Sequence, residues 1–222
     1  MKVISLNVGL PRQVHWRGAM VLTSIFKEPV SGMVEIQRYN LVGDRQSDLT
    51  VHGGKYKAIY GYPSEHYESW KREVPELSFP WGTFGENLTT EGLLEETVNI
   101  GDRLKIGTAI LTVTQPRLPC YKLALRFDRE DMIKRLLISG RSGFYFSVEQ
   151  EGSIGANSEI ELLSRDPNSV SIADINRLFF RDRNDLATRK RAIEIDAFPL
   201  SWKLYFQEQI EKTLNRKQSS AN

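Results

Sequence analysis

A single cysteine, Cys120, stands among 222 residues, with only three histidines, His15, His52 and His66, beside it. One cysteine excludes an intramolecular disulfide and any all-cysteine metal site, and it leaves Cys120 a free thiol or thiolate suited to a reducing compartment. The scattered histidines offer no zinc-ligand spacing, and a chain so poor in cysteine cannot hold an iron–sulfur cluster. Charge of one sign is lacking as well: 30 basic side chains face 28 acidic ones. No global field points to nucleic acid or to an anionic membrane, so any anion site must be local. No apolar run approaches the roughly 20 residues of a membrane span, and residues 1–11 lack the basic start and long apolar stretch of a secretory signal. The expected location is the cytoplasm.

What is present falls into two regions. From 1 to about 165 the chain alternates short β-branched and apolar runs with glycine and proline. Residues 1–8, 34–39, 58–62, 103–106, 109–115, 143–150 and 159–163 read as strands. Gly101-Asp102 and Gly107-Thr108 read as turns. Many short strands with loop punctuation predict a mainly β fold, a curled antiparallel barrel with interspersed helices, rather than a doubly wound parallel sheet. Helices are expected over 63–74, where Pro63 opens and Pro75 follows, and over 128–139, where Gly140 caps. Beyond Pro167, Ser171, Asn184 or Asp185, and Ser201 are candidate caps for three helices ending near Phe180, Glu194 and Asn215. Their apolar positions recur at helical spacing, as packing surfaces do. The expected division is 1–165, a β domain; 166–216, a three-helix module; and 217–222, a polar tail.

Four segments carry candidate chemistry. In Gln115-Pro116-Arg117-Leu118-Pro119-Cys120-Tyr121-Lys122 two prolines stiffen a loop at a strand end, and Arg117 and Lys122 flank the thiol with positive charge, surroundings that favour a thiolate. A lone cysteine is as readily a small core hydrophobe. In 48–57, the consecutive Gly53 and Gly54 let backbone N–H groups converge on an anion, with His52, Lys55 and Lys57 adding donors; a plain glycine turn is the alternative. In 82–90, Asn87 and Thr89 follow a glycine-rich stretch and either read a heterocycle or phosphate or brace their own loop. Lys27 sits beside the proline turn at Pro29, either solvated or functional. No Walker or dinucleotide fingerprint is present.

Taken in order, Lys27 with Pro29-Val30, Gly43-Asp44-Arg45-Gln46-Ser47-Asp48 leading to His52-Gly53-Gly54 and Lys57-Ala58, Phe84-Gly85-Glu86-Asn87-Leu88-Thr89, Ile100-Gly101-Asp102, and Gln115-Pro116-Arg117 with Pro119-Cys120 and Lys122-Leu123 resemble the MOSC domain family, named for the C-terminal domain of molybdenum cofactor sulfurase. The resemblance covers about 1–165, and the helical tail is similar to the small three-helix module of the family's stand-alone bacterial branch. It implies a curled β-barrel that binds the molybdenum cofactor, a molybdopterin, with Cys120 as the metal ligand. His52, Gly53, Gly54, Lys57 and Arg117 would cradle the pterin phosphate, Asn87 and Thr89 would face the pterin or metal oxo groups, and Lys122 would support the thiolate. The implied activity is reduction of N-hydroxylated compounds, such as hydroxylaminopurines and amidoximes, by oxygen-atom transfer, with Lys27 as a proton donor.

Electrons would come from a separate flavin or iron–sulfur reductase. The substrate is a small molecule, with neither nucleic acid nor membrane as partner, and the helices suit a homodimer or plain closure of the domain. The resemblance also leaves a sulfur carrier with a Cys120 persulfide, a non-catalytic cofactor carrier, and a scaffold that binds a partner through its helices. Arg45 and Ser47 depart from the family pattern, where smaller or apolar residues are expected.

Overall fold

The structure is a computed structural model, and it describes residues 1–50, 52–182 and 184–219, with side chains described as far as 216. Thirteen strands and six helices occur among these residues. The strands are β1 (Lys2–Val8), β2 (Arg12–Trp16), β3 (Ala19–Thr23), β4 (Glu28–Val30), β5 (Met33–Gln37), β6 (Asn40–Leu41), β7 (Ile59–Pro63), β8 (Leu88–Glu91), β9 (Arg103–Ile106), β10 (Ala109–Pro116), β11 (Phe144–Gln150), β12 (Gly152–Gly155) and β13 (Ile160–Ser164). The helices are α1 (Glu65–Glu73), α2 (Tyr121–Phe127), α3 (Asp131–Ser139), α4 (Ile172–Phe180), α5 (Leu186–Glu194) and α6 (Leu200–Ser219).

Eight strands form one sheet in the order β13-β9-β10-β11-β7-β8-β1-β4, flanked by a three-stranded sheet, β12-β5-β6, and the β2-β3 hairpin. All pairs in the large sheet are antiparallel except β7 with β8. That parallel pair follows from the long connection between its strands, which carries α1 back over the sheet as a crossover must. The sheet curls until Lys2 of β1 bridges Glu159, just ahead of β13. An isolated bridge, not a ladder, thus joins β1 to the β13 end of the sheet, which is short of the closed barrel expected from the sequence.

Local chemistry accounts for the elements that position the site. Gly107 and Thr108 turn β9 into β10, with Ala109 opposite Ile106. Gly107 has φ 58°, and a Cβ there would stand 2.3 Å from the carbonyl oxygen of Ser153, so only glycine fits. All five residues of β7 are buried, as befits a strand covered on both faces. An aromatic cluster packs beneath α1, α2 and the 82–87 loop, with Phe84 stacked on Tyr62 at a centroid distance of 4.4 Å.

Three expectations about the helices needed correction. The sequence reading placed no helix between Cys120 and Asp128, yet α2 begins directly after Cys120 and stops where Asp128 turns left-handed at φ 50°. The helix expected over 128–139 starts only at Asp131. At the C-terminus, α4 opens on a complete capping box between Ser171 and Asp174, and Asp185 caps α5 by accepting from the Thr188 N–H. Helix α6 runs past the expected end at Asn215 into the polar tail; residues 220–222 lie outside those described.

Candidate functional site

The residues singled out in the sequence come from four separate segments, and the fold gathers most of them around one cleft. Lys27 follows β3, His52 and Gly53 precede β7, Asn87 precedes β8, Arg117 follows β10, and Cys120 and Lys122 lie at the start of α2. All of these, with Lys57, line a single cleft of about 610 Å³, a figure that includes its open mouth. Cys120 occupies the N-cap position of α2, and its Sγ lies 3.9 Å from His52 Nε2.

The electrostatics are one-sided. Lys27, Lys57, Arg117 and Lys122 all line the cleft, and no aspartate or glutamate does so among the described residues. Burial, reinforced by Lys122, Lys57 and Arg117, pushes the His52 imidazole down to about 4, so it is neutral at pH 7. Lys122, itself buried, donates to the Ser47 hydroxyl at 2.9 Å. Arg117 packs over the Tyr60 ring, yet its Nη1 is buried with no partner in the protein. Ser24 Oγ, on the same cleft, is likewise buried and unpartnered. Buried polar atoms left unpaired are uncommon and call for a ligand or water.

Lys27 is held differently. Its ammonium pairs with the fully buried carboxylate of Asp44, which also accepts from the Gly9 N–H at 2.8 Å and from Asn87 Nδ2 at 2.9 Å. Burial lowers the Lys27 pKa although Asp44 opposes the shift.

Three expected site residues are placed otherwise. Asn87 reaches the cleft, but its amide is consumed internally: Oδ1 accepts from the Tyr60 N–H, and Nδ2 serves Asp44. Thr89 does not line the cleft. It lies two residues further along β8, about 7 Å from Asn87, where its hydroxyl accepts from Asn7 and donates to Glu86. Gly54, exposed at φ 77°, lines an adjoining outer cleft. Sequence reasoning missed Asp44 as an anchor and Ser24, Tyr60 and Tyr145 as walls. Asp44 carried a signal, since it stood within the quoted Gly43-Asp44 motif. The tyrosines read simply as strand residues.

No group of three His, Cys, Asp or Glu side chains among the described residues can hold a bare metal ion. A sheet-rich fold that sets a lone thiol in a cationic cleft has the chemistry of an anion-binding site, in which any metal would have to bring further ligands of its own. Residues 48–161 match the model of the MOSC domain, and 170–213 match the YiiM-like, 3-alpha helix domain. The chain belongs to the MOSC domain family, whose domains are associated with binding of the molybdenum cofactor. It is 38% identical to the uncharacterized protein YflK of Bacillus subtilis (strain 168) over 96% of both chains. It is 34% identical to a protein named Reductase from Gibberella moniliformis, covering 75% of this chain and 30% of that one. The crystal structure of YiiM from Geobacillus stearothermophilus superposes with a TM-score of 0.79 at 35% identity, covering 94% of this chain and 98% of that chain.

Proposed function

We propose that the protein is a molybdenum cofactor-dependent reductase of N-hydroxylated compounds, such as hydroxylaminopurines and amidoximes. The observation that carries this reading is the inner cleft: a thiol beside four basic side chains, with the buried Arg117 Nη1 and Ser24 Oγ left unpartnered. The fungal relative's name supports the reductive sense of the reaction. When bound, the cofactor supplies the two-electron chemistry that removes the oxygen of an N–O bond.

The chain's own residues bind, orient and move protons. Cys120 offers a soft sulfur ligand of the kind such a metal prefers. Arg117, Lys57 and Lys122 neutralise the cofactor's phosphate, and Gly53, at φ 84°, brings backbone close without a side chain in the way. His52 is uncharged at neutral pH and therefore acts as a hydrogen-bonding wall beside the sulfur, not as a further cation. Lys27 Nζ gives a proton to the departing oxygen; burial eases that release, and Asp44 holds the ammonium in place until then. The chain carries no flavin or iron–sulfur motif, so the returning electrons are assigned to a separate reductase. In this reading residues 1–165 bind the cofactor and the 166–216 module closes the site.

The test is expression in a cofactor-competent host, with molybdenum content and hydroxylaminopurine reduction measured for the wild type and Cys120→Ala. The wild type should hold the metal and turn over, and the variant should lose turnover. A wild type lacking both metal and activity would sink the reading.

A further inference from the structure

The thiol stands between two clefts. An outer cleft of about 1260 Å³, again including its open mouth, adjoins the first, and His52, Gly53, Lys57, Cys120 and Tyr145 line both. Part of the outer wall belongs to the C-terminal module: Pro199, Ser201 and Trp202, where α6 begins. One side-chain amide fastens this wall to the glycine loop. Trp202 Nε1 donates to Gln115 Oε1 at 2.8 Å, and Gln115 Nε2 donates to the Tyr56 carbonyl at 3.1 Å. The Thr114 hydroxyl donates to the same carbonyl at 2.7 Å. The loop that carries His52 is thus tied through a buried glutamine to the helices.

The chemistry of the outer cleft is specific. Tyr56 and Tyr145 contribute aromatic surface, Trp202, 7% exposed and packed on Phe179 and Phe198, closes the wall behind them, and Pro116, Pro119 and Pro199 add rigid surface. Such surfaces take a planar ring, whose burial between aromatic faces is favourable beyond its area. Lys55 and Lys57 supply positive charge, and no carboxylate lines the cleft among the described residues. The Lys55 ammonium lies 5.3 Å from the Tyr56 ring centroid, so charge and flat surface adjoin. A ligand that joins a planar ring to an anionic group matches both features at once.

We propose that this outer cleft is a subsite for a planar aromatic ring bearing a phosphate. Resting on the reductase reading, the substrate is then an N-hydroxylated compound of the nucleotide type rather than a free base. The three-helix module is a specificity wall of the site, and Lys55 reads the phosphate.

The test is calorimetric titration of the cofactor-loaded protein with adenosine 5′-monophosphate, adenosine and inorganic phosphate. The nucleotide should bind about tenfold or more tighter than either fragment. Lys55→Ala, at an exposed position, should abolish most of that advantage, while Gln46→Ala, which alters the inner cleft alone, should keep it. Equal binding of nucleotide and nucleoside overturns the proposal, as does phosphate binding as tightly as the nucleotide. It is also overturned if the advantage survives Lys55→Ala but disappears in Gln46→Ala, which would place the ligand in the inner cleft. The titration reads no turnover. A protein that keeps the preference but reduces nothing therefore sinks the reductase reading alone, and an active reductase without the preference sinks the subsite alone.

Discussion

At the scale of residues, the site is organised around one buried carboxylate that the sequence reading did not single out. Asp44 accepts hydrogen bonds from Gly9 N, Lys27 Nζ and Asn87 Nδ2, groups drawn from three distant segments. Removing one partner of a buried pair leaves the other charge uncompensated, so Asp44→Ala should cost about 3–5 kcal/mol of stability. Denaturant unfolding would check this; a loss below about 1 kcal/mol, the range of an exposed pair, would show the knot to be dispensable. Gly53 makes a second residue-scale case. Its φ of 84° lies in the left-handed region, and a Cβ would come within 3.2 Å of the Gln46 and Leu49 side chains. Gly53→Ala should cost about 1 kcal/mol or more and should weaken cofactor retention more than stability, which metal content against melting temperature would separate. Much of the site was legible because its residues sit in loops whose composition is itself the signal: paired glycines, paired prolines, a lone thiol between cations. Thr89 falls outside the cleft because a composition argument cannot tell how far along a strand the site extends, and its hydroxyl is taken by Glu86, a buried carboxylate of the same motif.

At the scale of elements, strands with strong apolar runs were legible within a residue or two: β9 falls at its expected limits, and β10 overruns by one residue. Weakly patterned strands were not. The β2-β3 hairpin turns through Arg17 and Gly18, both at positive φ, but its largely exposed strands offer no alternation to read, since β2 is mostly polar and β3 is apolar on both faces. Helix α2 was hidden because it spans only seven residues between a proline-fixed loop and a left-handed aspartate. Helices α4 and α5 announced themselves through their caps, Ser171 and Asp185, whereas Ser201, expected to cap the third helix, lies inside α6, which begins at Leu200; the Asp185 cap supports a prediction. The Asp185 carboxylate is held down to about 2, from its ordinary 3.8, first by the Thr188 N–H and then by Arg177. A depressed carboxylate contributes stability that is complete above its unfolded pKa and is lost as pH falls through its folded one. Asp185→Ala should therefore melt earlier than wild type by the equivalent of about 1 kcal/mol above pH 5. The gap should narrow between about pH 4 and 2, and a gap constant across that range would contradict the assignment.

At the scale of the whole molecule, the sequence suggested a β domain with an appended helical module, and the packing joins them more closely than an appendage requires. Val170, Ile172, Ile175, Leu178, Ile195 and Phe206 belong to the same buried cluster as Leu104, Leu111 and Val113 of the sheet. Backbone bonds reinforce the seam: Ile100 N donates to the Val170 carbonyl, Ile172 N to that of Val98, and Ala173 N to that of Glu95. A change of composition along the chain marks where helices replace strands, but it carries no information about whether the two share a core. Sharing one has a thermodynamic consequence, because side chains that are buried only by the other segment cannot stay folded without it. Calorimetric unfolding of the full chain should give a single transition whose calorimetric and van't Hoff enthalpies agree. A chain truncated after Arg165 would expose the sheet residues that α4 and α6 now cover, and it should lose cooperative melting as well as the outer cleft wall at Trp202. Two resolved transitions in the full chain, or a truncated chain that melts cooperatively at the wild-type temperature, would show instead that the module is only attached to the fold and that Trp202 reaches the site without supporting it.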